Sequence, residues 1–117
     1  MKFKIICFDL DNTLCKTIGS RYHSSKPIKK NIKLVNLLYK KGYYIKIFTA
    51  RFMGRSNQNK ILAQKKANSM TINQLKKWKV NYHEVIFGKP SYDIFVDDKS
   101  LFYKNDWIKL IKRKLKI

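Results

Sequence analysis

Acidic residues are what this chain has least of. Seven Asp and Glu stand against 27 Lys and Arg in 117 residues, giving a formal net charge of +20. A surface that basic attracts nucleic acid, anionic membrane or any anionic substrate. Arginine is itself scarce, with only Arg21, Arg51, Arg55 and Arg113. Bidentate phosphate recognition favours Arg, so the lysine surplus reads more as compositional drift in an Ile- and Asn-rich chain than as a dedicated binding face. A functional basic face is the alternative. Cysteine is limited to Cys7 and Cys15, which excludes a disulfide framework. No secretory signal is seen, because the run Phe3 to Leu10 is broken by Lys4 and Asp9 and no small-residue cleavage site follows it. The expectation is therefore a cytoplasmic protein with reduced thiols. No stretch approaches the roughly 20 apolar residues of a membrane span. The length fits one domain, 1–117, and excludes a large inserted lid.

What is present is organised. Phe3 to Phe8 is a β-rich run that ends at Asp9. Leu10 to Lys26 reads as a loop or small hairpin. Pro27 then opens a helix whose apolar face is Ile28, Ile32, Val35, Leu38 and Tyr39, stopped by Gly42. Tyr43 to Phe48 is a second strand, and Arg51 to Ser56 a loop. Asn57 to Asn68 is helix-compatible but has only a thin apolar stripe. Thr71 suits the N-cap of a short helix ending near Lys79. Glu84 to Phe87 and Asp93 to Val96 read as third and fourth strands, and Trp107 to Ile117 as a basic helix. Its stripe of Trp107, Ile108, Ile111 and Leu115 suits packing on the sheet, or alternatively a membrane surface. Strands alternating with helices predict an α/β fold: a three-layer sandwich around a Rossmann-like, mostly parallel sheet.

The few acids gain meaning from that layout. Asp9 and Asp11 follow strand one, Thr49 and Arg51 strand two, Lys89 strand three, and Asp97 and Asp98 strand four. Open parallel sheets bind ligands outside the carboxyl ends of their strands. Four separate segments thus aim at one crevice, and the reading requires Asp97 to stand close to Asp9. Either Asp pair alone is more simply a turn or a helix cap. His23 and His83 are acid–base candidates only by residue type, His23 being the better placed. Cys7 reads as core and Cys15 as structural.

Phe8-Asp9-Leu10-Asp11-Asn12-Thr13-Leu14 resembles the first motif of the haloacid dehalogenase-like (HAD) superfamily, Asp-x-Asp-x-Thr after a buried strand. Phe48-Thr49-Ala50-Arg51 is similar to its second motif, Lys89 to its third, and Val96-Asp97-Asp98 to its fourth. The resemblance runs from Phe3 to about Ser100. The chain is also similar to the short HAD phosphatases of capsular and surface polysaccharide biosynthesis, through Thr49-Ala50-Arg51 and Gly88-Lys89-Pro90.

The resemblance implies a capless phosphatase. Asp9 would attack phosphorus to give an aspartyl-phosphate. Asp11 would protonate the leaving group and then activate water. Thr49 would bind a phosphoryl oxygen, Lys89 would hold the charge of Asp9 and of the phosphoryl group, and Arg51 would bind substrate or brace its loop. Mg²⁺ would be held by Asp9, Asp97 and the Asp11 carbonyl, with Asp98 behind them or reached through water. The substrate expected is a phosphorylated small molecule, a sugar phosphate or polysaccharide precursor. A nucleic-acid end or nucleotide is the alternative, and a non-catalytic basic binding module the alternative of another class. Without a cap, Phe52 to Met70 could serve as a small lid or as the contact of a homo-oligomer.

Overall fold

The computed structural model describes residues 3–53 and 60–117. The main sheet follows from β-branched and aromatic residues placed on alternate sides of each strand. β1 (Ile5–Asp9) pairs in parallel with β4 (Tyr44–Thr49), setting Ile6 against Ile45 and Phe8 against Ile47. β5 (Glu84–Phe87) pairs in parallel with the other edge of β4, with Thr49 opposite Phe87. The strand order is β1-β4-β5. Two successive crossovers in one direction carry α1 (Lys29–Lys40) and α2 (Lys60–Lys77) to the same core.

In that core, Phe8, Ile45 and Ile47 cluster with Ile32, Val35 and Leu38 of α1, Leu75 of α2, and Trp107 and Ile111 of α3 (Trp107–Leu115). Trp107 meets Phe8 edge-on at 6.3 Å between ring centroids, so the stripe of α3 is used in packing. The fold is the α/β arrangement expected, with a Rossmann-like parallel sheet. No helix among the described residues is long and apolar enough to cross a membrane.

The connection after β1 is wound tightly. The Leu10 carbonyl accepts the N–H groups of Thr13, Leu14 and Cys15, while Asn12 takes the left-handed conformation (φ 63°). Leu10 and Leu14 are fully buried and pin this turn to the core. A small antiparallel pair follows, β2 (Cys15–Lys16) with β3 (Lys26–Pro27), bridged by a 3₁₀ turn at Tyr22–Ser24. Pro27 therefore belongs to β3, and α1 begins two residues later. Gly42 ends α1 with φ 98°, its N–H bonding the Tyr39 carbonyl.

Three expectations are corrected. First, α2 is one helix through Lys60–Lys77, not a doubtful stretch followed by a short one. Thr71 does not cap it: its hydroxyl donates back to the Ala67 carbonyl at 3.0 Å, inside the helix. Residues 54–59, which include the end of the expected loop and the start of the expected helix, lie outside the described residues. Second, Asp93 to Val96 forms no strand, and Ile94 and Val96 are 81% and 90% exposed. Four residues of strand-like composition gain little without a hydrogen-bonded neighbour, and this segment has none among the described residues. Third, Cys7 is exposed. The two-residue period of β1 puts it with Ile5 on the face away from the core.

His83 has a structural role. Its Nδ1 accepts the Ile45 N–H at 3.0 Å, and its own N–H donates to the Ile45 carbonyl at 2.9 Å. Its ring is stacked between Tyr39 and Tyr44, at centroid distances of 4.6 and 4.5 Å. His83→Phe retains the stacking surface but leaves a buried N–H without its acceptor. Urea unfolding is expected to show a loss of about 1–3 kcal/mol. An unchanged midpoint would show that the bond contributes nothing.

Candidate active site

The ends of β1 and β5 bring a carboxylate and an ammonium together. Lys89 follows Gly88, whose φ of 99° turns the chain, and its N–H bonds the Thr49 carbonyl at 3.1 Å. That bond extends the β4–β5 pairing and points the lysine back across the sheet. Its Nζ lies 3.3 Å from Asp9 Oδ1. The rings of Phe48, Tyr92 and Phe95 surround the ammonium at 5.9, 5.3 and 5.4 Å. Burial pushes the Lys89 pKa down, but the Tyr92 hydroxyl and the Asp9 carboxylate outweigh it, and the net shift is upward. The charge on Lys89 is thus fully present below the ordinary lysine pKa and is lost only as pH rises through the raised value. Asp9 itself keeps a 37% exposed side chain and accepts a 3.2 Å bond from the Thr13 hydroxyl. It can be approached from solvent.

Asp11 and Arg51 form a second, more enclosed cluster. Arg51 is only 2% exposed, yet every nitrogen of its guanidinium is engaged. Nε donates to both Asp11 oxygens at 3.1 and 3.0 Å, and Nη2 donates to Asp11 Oδ1 at 2.9 Å. Nη2 also reaches Ser25 and Cys15, and Nη1 reaches Thr71 and Gln74. Thr17 donates a 2.6 Å bond to Asp11 Oδ1. Of the two roles open to Arg51 in the sequence, the geometry is that of a brace, since no donor is left for a substrate. Thr49 is fully buried and accepts the Arg51 N–H at 3.1 Å, which leaves its own O–H to donate elsewhere. Cys15 is buried here and its thiol pKa is raised, first by burial.

Asp97 and Asp98 do not join these groups. Both are exposed, and the bonds of Asp97 are local, from the Lys99 N–H and the Ser100 hydroxyl. Among the described residues no group of three or more His, Cys, Asp or Glu side chains is placed to hold a metal ion. Asp9 faces an ammonium and a hydroxyl, and both Asp11 oxygens face a guanidinium, so the donor set as arranged does not fit a divalent cation. Sequence reasoning missed Thr13, Thr17, Ser25, Gln74 and Tyr92. Thr13 stood inside the quoted motif, while the others carry no local signal.

No family model matches the chain, and no curated protein matches its sequence. Likeness appears at the level of structure. A crystallised target protein from Vibrio cholerae superposes with a TM-score of 0.74 over 97% of this chain and 99% of that one, at 24% identity. A chain of the Pnkp1/Rnl/Hen1 complex matches with a TM-score of 0.53 and 18% identity, over 97% of this chain and 34% of that one. A second structure of that assembly, an RNA repair complex, gives 0.52 and 17%, over 95% and 31%. This chain therefore spans about a third of those two proteins. Each of these likenesses is one of fold, an α/β domain built on a parallel sheet.

Proposed function

We propose that the chain is a phosphomonoesterase in which Asp9 attacks the phosphorus of a phosphate ester. The Asp9–Lys89 pair at the strand ends carries this reading: an approachable carboxylate next to a caged ammonium. The ammonium offsets repulsion between an anionic nucleophile and an anionic ester, where such electrostatic help is worth most. The Asp9–phosphorus bond forms as the ester bond breaks, and the leaving oxygen takes a proton from Asp11. Water then attacks the aspartyl-phosphate, gives its proton to Asp11 and releases phosphate. Thr49 donates to a phosphoryl oxygen in this cycle, for which its buried side chain must turn toward the site. For this cycle Asp11 must turn one oxygen away from Arg51 and Thr17. Asp9, with its side chain more than a third exposed, admits a bulky ester, either a phosphorylated small molecule such as a sugar phosphate or a nucleic-acid end.

Phosphate release from a panel of phosphorylated metabolites and phosphate-terminated oligonucleotides, with Mg²⁺ present, tests the reading. Turnover of at least one class is expected; silence across the panel contradicts it.

Mg²⁺ at Asp9 and Asp97, with the Asp11 carbonyl and Asp98, belongs to the same reading. The described residues do not gather these groups, so Mg²⁺ binding there requires residues 93–98 to move toward Asp9. Ligand linkage then raises Tm as Mg²⁺ is added, by about 2.7 kcal/mol of stability at 100 times Kd. Asp97→Asn should remove most of that rise. An identical rise in both proteins would take Asp97 out of the metal site.

A further inference from the structure

A cleft of about 590 Å³ opens between the Tyr22–Ser24 turn and α2, lined by His23, Lys65, Lys66, Asn73, Gln74 and Lys77, among others. No Asp or Glu occurs anywhere between Asp11 and Glu84, so α2 carries its lysines without an acid of its own. A helix that merely solvates itself interleaves Glu with Lys one turn apart, which relieves repulsion. Here the repulsion is left in place, and the positive potential stays available to an anion.

The arrangement is extended. Lys66, Asn73 and Lys77 recur at helical spacing on one face, and the eleven steps from first to last cover about 16 Å at 1.5 Å each. One additional phosphate needs a single cationic point, whereas a strand of nucleic acid presents phosphates in series. Lysines as point charges, alternating with amide and hydroxyl donors, suit tracking of a sugar–phosphate backbone without reading its bases. The cleft is also tied to the candidate active site. Gln74 donates to the Tyr22 carbonyl at 2.6 Å and accepts from Arg51 Nη1, and Arg51 holds Asp11.

We infer that this cleft binds the phosphodiester backbone of a nucleic-acid strand whose terminal phosphate is removed at Asp9. The inference rests on the phosphomonoesterase reading above and names its substrate class.

The test uses the full chain. In an Asp9→Asn background, which binds without turning over, a 5′- or 3′-phosphorylated single-stranded oligonucleotide is titrated by fluorescence anisotropy across a salt series. The double substitution Lys66→Gln/Lys77→Gln should weaken binding at least about tenfold. It should also flatten the plot of log K against log salt by about 1.4, since each lost phosphate contact on a single strand contributes about 0.7. Lys33→Gln/Lys40→Gln on α1 is the control for net charge alone. With Asp9 restored, the α2 pair should raise KM for the oligonucleotide and leave hydrolysis of a simple monoester unchanged. Equal slopes for the two double variants overturn the inference. So does an equal rise in KM for a sugar bisphosphate, which would make the cleft a small-molecule subsite. If no ester is hydrolysed, the reaction reading fails, and the anisotropy series still decides whether the cleft binds a strand.

Discussion

Asp9→Asn is expected to lower phosphate release by at least about 10³-fold while leaving the fold intact, because the nucleophile has no substitute in the site. Asp11 is held by Arg51 and Thr17, and Asp97 and Asp98 stand apart. The Asp9 side chain is more than a third exposed, and its partners are one ammonium and one hydroxyl. An amide of the same shape keeps most of that packing, and a partly exposed ion pair contributes at most about 1 kcal/mol. Tm should therefore fall by no more than about 4 °C, the shift that such a loss produces in a domain of this size. Turnover retained at near wild-type rate would remove Asp9 from the nucleophile role. A collapsed Tm would leave the rate uninterpretable, and Asp9→Glu would then serve: it keeps the charge but displaces the attacking oxygen by one methylene.

Arg51→Leu should produce the second large effect, on stability as well as on rate. It strips Asp11 of its two-pronged partner and leaves Thr71 and Gln74 short of a donor. Breaking a buried ion pair typically costs about 3–5 kcal/mol; Asp11 is one-fifth exposed, so the lower end applies. Arg51→Lys should recover little, because a single ammonium cannot reach both Asp11 oxygens and Gln74 together. A chemical unfolding curve measures the first effect. Its activity counterpart is a fall in kcat with KM little changed, since Arg51 positions Asp11 and has no donor left for substrate. Wild-type stability in Arg51→Leu would contradict the geometry described here.

The regularities that were legible in the sequence are local ones. Apolar periodicity located β1, α1, β4, β5 and α3, and Gly42 marked the end of α1 at a left-handed residue. The meeting of Asp9 and Lys89 followed from a general property of parallel sheets, whose strands all end at one edge. What escaped depends on partners far along the chain. Arg51 is satisfied by Asp11, Ser25, Thr71 and Gln74, residues that no spacing rule connects. Thr71 has the residue type of an N-cap, and only the continuity of α2 turns its hydroxyl back onto Ala67. Asp93 to Val96 has strand composition, but a strand exists only with a neighbour, and composition does not supply one. The basic surplus looked like drift while it was counted over the whole chain. It took the position of α2 beside the Tyr22–Ser24 turn to gather Lys65, Lys66 and Lys77 around a cleft.

The most direct test of the account is to catch the phosphoryl group on the chain. The protein is mixed with an ester it hydrolyses, quenched in acid within the first turnover, digested, and its peptides weighed. A phosphoryl adduct on the peptide carrying Asp9, absent from Asp9→Asn, is the predicted result. An adduct on another residue, or none during a rapid burst of product, would contradict it.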